Sequence, residues 1–466
     1  MMINKYSINF FINTFPGLIS IVLSFFSIPI YLKFLGYAEY GDYLMLHIFL
    51  TISIITNLNL GKIASIRIQK VNHFQAKKII STTIIISFFS SIVTSVAIFF
   101  LFSFFSSLYE FSFFYENKYT YIALFLSNLY VTLENLCKSK KLFLITSLAN
   151  FLFYSLSISA PCIFLILKIE GYENALELFK ISFFLKILGV LTLLLFIFYK
   201  KLIYIKSLSI KIINDFIIYA KWQTLSSIYI QIFDFFDKYI VKIILGSATL
   251  SLYVIPQQIA GKLSVISDAV VSVFLPRVSS NKNRDNRYKI FNANFYGFFY
   301  IAALPLILLL PYFNEIIIWW LGKDVNFKIF HLFKIFILAS FYICVTQVIS
   351  TFYDTILQSK KNFRIDSIVL IFFIAGMIFS IKSGNIYYFA YTALFKSILS
   401  FLLKLKFMSV YVMKLKILII QNVILISIFL FEMNDIGHMY YLTCCFFIFF
   451  LITSAPLKIL KNEFFK

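Results

Sequence analysis

Apolar residues come in long uninterrupted runs along this chain, separated by short polar clusters. The runs fall at roughly 8–32, 43–65, 79–106, 119–137, 142–167, 178–199, 214–242, 250–275, 291–319, 330–357, 365–382, 385–403, 415–432 and 439–456. A helix needs ~20 apolar residues to cross ~30 Å of hydrocarbon at ~1.5 Å per residue, and these runs are of that order. The short alternating segments of a membrane barrel are not the pattern here, and helices satisfy their own backbone in lipid. An all-α polytopic membrane protein with about fourteen transmembrane helices is therefore predicted. The first run lacks a small-residue cleavage site and leads through PIYLKFLG into the next run, so it reads as a permanent span.

The polar clusters between runs repeat. Ser139–Ile145 reads SKKLFLI and Ser359–Ile365 reads SKKNFRI, an offset of 220, with Glu134 and Asp354 each five residues earlier. Leu35–Tyr43 (LGYAEYGDY) pairs with Leu245–Tyr253 (LGSATLSLY) at an offset of 210, and Arg67 with Arg277 at the same offset. These landmarks predict an internal repeat: two six-helix bundles in the same orientation, related by an axis along the membrane normal, around a central cavity. The expected divisions are 1–211, 212–410, and an appended two-helix hairpin with its tail at 411–466.

Composition agrees with a bilayer protein. The chain is 61% hydrophobic and 13% charged, too little polar residue to clothe a soluble globule of 466 residues. Its formal net charge is +22, and most of the Lys and Arg fall in every second connection: 67–78, 138–141, 200–211, 277–289, 360–364 and 404–416. The alternate connections hold Glu39, Asp42, Glu110, Glu116, Glu170, Glu173, Glu177, Asp324, Glu432 and Asp435. The positive-inside rule then places both termini in the cytoplasm. Topology and anionic lipid account for the charge, so no nucleic-acid partner is expected. Cys137, Cys162, Cys344, Cys444 and Cys445 lie in or at the ends of apolar runs and read as packing residues rather than disulfides or metal ligands.

Three stretches carry a family resemblance: FINTFPGLISIVLSFFSIPIYLKFLGYAEYGDY, NLNLGKIASIRI, and the long segment from YAKWQTLSSIYIQIFDFFDKYIV through YVIPQQIAGKL to LPRVS. With them the chain resembles the polysaccharide (O-antigen type) flippases of the multidrug/oligosaccharidyl-lipid/polysaccharide exporter superfamily, over essentially its whole length. Relatives often carry Arg after the Asp of the seventh helix and a Gly in the basic hinge; here stand Lys238 and LQSKK, which removes a bidentate fork from any phosphate contact at Lys238. The resemblance implies outward flipping of an undecaprenyl-pyrophosphate-linked oligosaccharide across a bacterial inner membrane.

Such a substrate needs a wet, cationic passage for its pyrophosphate and sugars, so intramembrane cations are the candidates. Lys262 lies ~18 Å into its span by helix rise, near mid-bilayer, beside Gln257, Gln258 and Ser264. Lys396 is similarly central, and Lys62, Lys221 and Lys238 complete the cationic set. Lys62, Lys180, Lys186 and Lys221 have an alternative reading as snorkelling side chains. Asp234, Asp237 and Lys238 share one face of the seventh helix. Asp234, Asp237 and Asp268 are candidates for ion coupling or gating, or for neutralising nearby lysines. Asn13, Asn57 and Asn59 either contact sugars or join helices. Glu134 and Asp354, beside basic hinges, are expected to form structural salt bridges.

The sequence contains no GxxxxGK[ST] loop and no HExxH, and His47, His73, His331 and His438 are scattered, so no cofactor or metal is expected. Energy would come from H+ or Na+, the membrane potential, or product removal by a polysaccharide polymerase. A polymerase or ligase would need a large outer loop, and the longest expected here is about a dozen residues. An ion-coupled multidrug antiporter and a peptidoglycan-precursor flippase of the same superfamily remain as alternatives; a structural scaffold would not carry charges so deep.

Overall fold

The computed structural model describes residues 2–51, 60–68, 71–105, 118–140, 142–172, 174–200, 210–265, 267, 268, 270, 271, 278, 283–309, 312–322, 325–356 and 358–407. No strand occurs among them. Among the described residues, seven helices are long and apolar enough to cross a membrane: Gly17–Phe49, Phe74–Phe100, Phe143–Ile166, Ala175–Tyr199, Lys328–Thr355, Ser359–Ser383 and Ile386–Lys406. The chain is a multi-pass membrane protein. The runs expected at 415–432 and 439–456 lie outside the described residues.

The chain divides into two compact units, Met1–Ser251 and Leu252–Lys466. The first contains α1 (Met2–Phe49), α2 (Leu60–Ile68), α3 (His73–Phe105), α4 (Lys118–Ser139), α5 (Phe143–Ile166), α6 (Ala175–Tyr199), α7 (Ile210–Leu245) and the start of α8 (Ser247–Gly261). Its core is a layer of Ile79, Ile80, Tyr130, Leu133, Phe153, Val190 and Leu193, contributed by α3, α4, α5 and α6. Several of these helices are apolar on every side, the composition of helices with both protein and lipid neighbours. What then distinguishes inner from outer faces is small polar groups. Ser87 Oγ of α3 donates to Thr132 Oγ1 of α4 at 2.8 Å, and Tyr43 Oη meets Ser182 Oγ at 2.9 Å, both pairs fully buried.

Within α1 the helix breaks at Gly36, whose φ of 71° no side-chain-bearing residue adopts cheaply. Gly246, between α7 and α8, has φ 84°. These two glycines are the LG landmarks matched at an offset of 210, so the same left-handed joint recurs where the sequence repeats. At Gly41 a Cβ would lie 2.0 Å from the Ser247 carbonyl oxygen, and glycine is what lets the two backbones meet there. Asp42, next in the chain, accepts Ser247 Oγ at 2.7 Å and pairs with Lys242 Nζ at 2.7 Å.

The second unit continues with α9 (Arg284–Leu309), α10 (Phe313–Leu321), α11 (Lys328–Thr355), α12 (Ser359–Ser383) and α13 (Ile386–Phe407). The run read as one span at 291–319 is two helices, α9 and the short α10. At its centre is α11, with 89% of its apolar window buried, so that protein covers most of its surface and Ile343 remains exposed. Lys404, read from sequence as part of a basic connection, instead lies inside α13 with 3% of its side chain exposed. Its Nζ pairs with Asp366 Oδ1 at 2.9 Å and donates to Ser350 Oγ at 2.8 Å, because α11, α12 and α13 meet at that level.

Each unit holds its hinge carboxylate in the same manner. Glu134 pairs with Lys138 at 2.6 Å and accepts Asn150 Nδ2 at 2.9 Å from the next helix. Asp354 accepts Asn362 Nδ2 at 3.1 Å, likewise across its hinge. An asparagine reaching over the SKK turn thus fixes the angle between consecutive helices in both places.

Candidate functional site

The run expected as a continuous helix over 250–275 is interrupted. Pro256 lies inside α8 and removes the N–H that would bond the Leu252 carbonyl. α8 then ends at Gly261, and Lys262 and Leu263 form a turn before helical backbone resumes at 264 and 265. Through the break, hydrogen bonds tighten to three-residue spacing: Lys262 N–H to Ile259 O, Leu263 N–H to Ala260 O and Val265 N–H to Lys262 O, each 3.1 Å. Irregular backbone within a span is tolerated where protein or a hydrated cavity covers it, and tightened turns inside helices often mark hinges.

Polar side chains surround this break. Gln257 and Gln258 are half-buried on α8, and Gln257 Oε1 is sealed from solvent with no hydrogen-bond partner among the described residues. It is one of several buried polar atoms in this chain that have no partner among the described residues. Past the break, Ser267 Oγ donates to Gln347 Oε1 at 2.8 Å, and Gln347 Nε2 donates to Asp268 Oδ1 at 2.7 Å. Gln347 belongs to α11 and was not singled out by sequence reasoning, because a lone glutamine in an apolar run carries no spacing signal. The sequence left Asp268 open to pairing with Lys262 or with another helix, and it accepts a hydrogen bond from Gln347 of α11. Lys262 itself is half-buried at the break.

Asp237 is 1% exposed and accepts the backbone N–H of Lys238 at 2.8 Å, while its Oδ1 lies 3.5 Å from Lys238 Nζ. The same ammonium donates to the Asp234 carbonyl one turn back. Lys238 and the two aspartates therefore form a local, mostly buried cluster on α7.

Lys396 is half-buried with its Nζ 5.3 Å from the centre of the Phe373 ring. Lys186, whose alternative reading was a snorkelling side chain, is turned inward and only 5% exposed. Its Nζ lies 4.4 Å over Phe153 and donates to the Phe153 carbonyl at 3.3 Å. A π-helical turn at Phe151–Leu156 surrounds that carbonyl, and Gly189 lets α6 approach, since a Cβ there would come within 2.9 Å of Phe153 Cβ. Lys186 and Phe153 lie at offsets of 210 and 220 from Lys396 and Phe373, so the repeat recurs as a lysine-over-phenylalanine contact. Asn13, Lys62 and Lys221 have helical backbone in α1, α2 and α7, whereas Asn57 and Asn59 lie outside the described residues.

No protein-family model matches the sequence, and no curated protein sequence does. Solved structures do match. The lipid II flippase MurJ, in an inward closed conformation, is 18% identical with a TM-score of 0.65, covering 97% of this chain and 99% of that one. An inward-facing multidrug resistance MATE transporter of the MOP superfamily is 12% identical with a TM-score of 0.58, covering 85% of this chain and 95% of its own. A mutant of the Vibrio cholerae MATE transporter VcmN is 14% identical with a TM-score of 0.61, covering 88% and 98%. The chain thus has the fold of the MOP-superfamily transporters and flippases.

Proposed function

We propose that this chain is a flippase that carries an undecaprenyl-pyrophosphate-linked oligosaccharide, an O-antigen or capsule repeat unit, from the cytoplasmic to the periplasmic leaflet of a bacterial inner membrane by alternating access. The observation carrying this reading is the polar break in α8, where Lys262 stands between the orphaned Gln257 and the Ser267–Gln347–Asp268 chain. A cation at an interrupted helix suits an anionic head group, and the fold shared with transporters and flippases supports translocation rather than catalysis. Lys262 is assigned the pyrophosphate contact, with Lys396, Lys62, Lys221 and Lys238 as further cations along the route. Asp234, Asp237 and Asp268 are assigned ion coupling or gating with H+ or Na+.

A second reading is a peptidoglycan-precursor flippase, favoured by one fact: the match to MurJ spans 97% of this chain, against 85–88% for the two MATE structures above. Both readings share a polyprenyl-pyrophosphate substrate and separate in cells. Lys262→Ala is expected to abolish surface polysaccharide and leave the lipid-linked unit on the inner leaflet, while Lys262→Arg retains part of the export. Normal surface polymer from the alanine variant at normal protein abundance overturns the assignment of Lys262. Rescue of a strain depleted of its peptidoglycan-precursor flippase, without any effect on surface polysaccharide, selects the second reading.

A further inference from the structure

One lysine of the first unit is buried without an acid beside it. Lys186 on α6 is 5% exposed, and among the described residues both contacts of its Nζ are with Phe153: the ring at 4.4 Å and the backbone carbonyl at 3.3 Å. That carbonyl lies in the π-helical turn of α5 and also accepts Ser157 Oγ at 2.6 Å. Phe179, Ser182 and Lys186 follow at i, i+3 and i+7 and share one face of α6. Tyr43 and His47, one turn apart, bring α1 against that face. Tyr43 Oη meets Ser182 Oγ at 2.9 Å, and the His47 ring lies 4.7 Å from that of Tyr43 and 5.4 Å from that of Phe179. His47 Nε2 is sealed from solvent with no hydrogen-bond partner among the described residues, and Lys186 is close enough for the two charges to interact.

The carboxylates on the surrounding helices are engaged elsewhere. Glu39 of α1 accepts the Ala175 N–H, Asp42 pairs with Lys242, Glu134 of α4 with Lys138, and Glu177 of α6 with Lys180, while Asp234 and Asp237 lie with Lys238 on α7. The other titratable groups that α1, α4 and α5 bring here are the phenols of Tyr31, Tyr40, Tyr43, Tyr130 and Tyr154 and the Cys162 thiol. At the ordinary values of about 10 for a phenol and about 8.5 for a thiol they carry no charge near neutral pH. A charge buried without a counter-ion is costly, and a second like charge beside it costs more. Lys186 and His47 therefore hold at most one positive charge between them. Two nitrogen bases with no carboxylate take a proton and repel a metal cation. Packing points the same way: a Cβ at Gly189 would lie 2.9 Å from Phe153 Cβ, and a proton needs no cavity.

We propose that Lys186 and His47 form a one-proton seat in the first unit, apart from the aspartates of α7 and from Asp268. A proton from water is held on Nζ or on Nε2, an N–H bond forming at one nitrogen as the bond to the other, or to a water oxygen, breaks. With the proton on Nζ, the contact with the Phe153 ring and carbonyl is that of a cation; without it, a neutral hydrogen bond is left. Occupancy of the seat thus sets how firmly α6 is held to the π-helical turn of α5. The seat does not depend on Lys262 or on which head group is carried. Loss of export in Lys262→Ala leaves the seat standing, and failure of the seat leaves the assignment of Lys262 standing.

The test is a pH titration of the purified full chain in lipid nanodiscs, labelled with nitrogen-15 histidine and read by NMR. The chain has four histidines, and the signal missing from His47→Gln is that of His47. We expect His47 to bind a proton at least tenfold more tightly in Lys186→Met than in the wild type, because the neighbouring charge is gone and the proton has no other nitrogen to occupy. Lys186→Arg keeps a permanent charge, and His47 is expected to stay within threefold of wild type there. Lys180→Gln, at a half-exposed position on the same helix, is expected to change His47 less than threefold. A change smaller than tenfold in Lys186→Met overturns the seat. An equal rise in Lys186→Arg, which would mean packing, or in Lys180→Gln, which would mean a general field, overturns it too. Should Lys186→Met not fold, Lys186→Gln removes the charge with a polar side chain and is read in the same way.

Discussion

The ion pair between Lys404 and Asp366 offers a sharp test of how the second unit is held together. Their side chains are 3% and 6% exposed, 2.9 Å apart, and the lysine also serves Ser350 Oγ at 2.8 Å. Lys404→Met fits the same slot, yet it leaves a carboxylate in the protein interior without its cation and Ser350 without that donor. Removing one partner of a buried pair typically destabilises by about 3–5 kcal/mol, far above the ~0–1 kcal/mol of an exposed pair. In a unit of this size each kcal/mol moves the midpoint by about 2–4 °C, so the fall expected is roughly 6–20 °C. Replacing both residues, Lys404→Met with Asp366→Leu, removes the stranded charge and is expected to recover most of the loss, since well-packed apolar residues often substitute for buried pairs without net cost. The assay is thermal unfolding of the purified protein in one detergent, for wild type, both single variants and the double variant, which closes a double-mutant cycle. A Lys404→Met midpoint within a degree of wild type, or a double variant less stable than either single one, would refute the argument.

Two further outcomes follow from the first unit. Gly41→Ala would drive a methyl group into the Ser247 carbonyl, 2.0 Å away, and backbone yields less readily than a side-chain tip. The variant is expected to lose at least the ~1–3 kcal/mol typical of overpacking, read as a lower unfolding midpoint, and an unchanged midpoint would contradict the close approach. Because Lys140 titrates below the unfolded value of about 10.4, the unfolded chain holds its proton more tightly. Stability should therefore rise as pH climbs through the lowered value toward ~10.4, after full destabilisation at lower pH. Lys140→Gln should raise the midpoint at neutral pH and flatten that rise; a parallel pH profile for the two proteins would count against a Lys140 held low by its burial and, second, by the Lys77 charge.

Much of the candidate site was legible residue by residue. Lys262 stood out as a lysine deep in an apolar run, with Gln257 and Gln258 beside it and Asp268 further on. The break in α8 was written less clearly, because Pro256 and Gly261 each occur inside ordinary membrane helices and neither alone ends one. Gln347 was invisible, since its role depends on α11 passing Ser267 and Asp268. Lys404 was misplaced because a lysine near the end of an apolar run reads locally as a loop cation, and only the neighbouring Asp366 shows that it is interior.

The sequence alone determined that this chain lives in lipid as helices, where its hinges fall, and that landmarks recur at offsets of 210 and 220. These follow from hydropathy, glycine and charge, which act over a few neighbouring residues. Tertiary structure decided which charges are engaged within the protein: Lys242 on Asp42, Lys404 on Asp366, and Lys186 on the face of Phe153. Helices that are apolar on every side carry no stripe to mark the inward face, so the pairing of their rare polar groups is settled only by how the helices rotate and pack against one another.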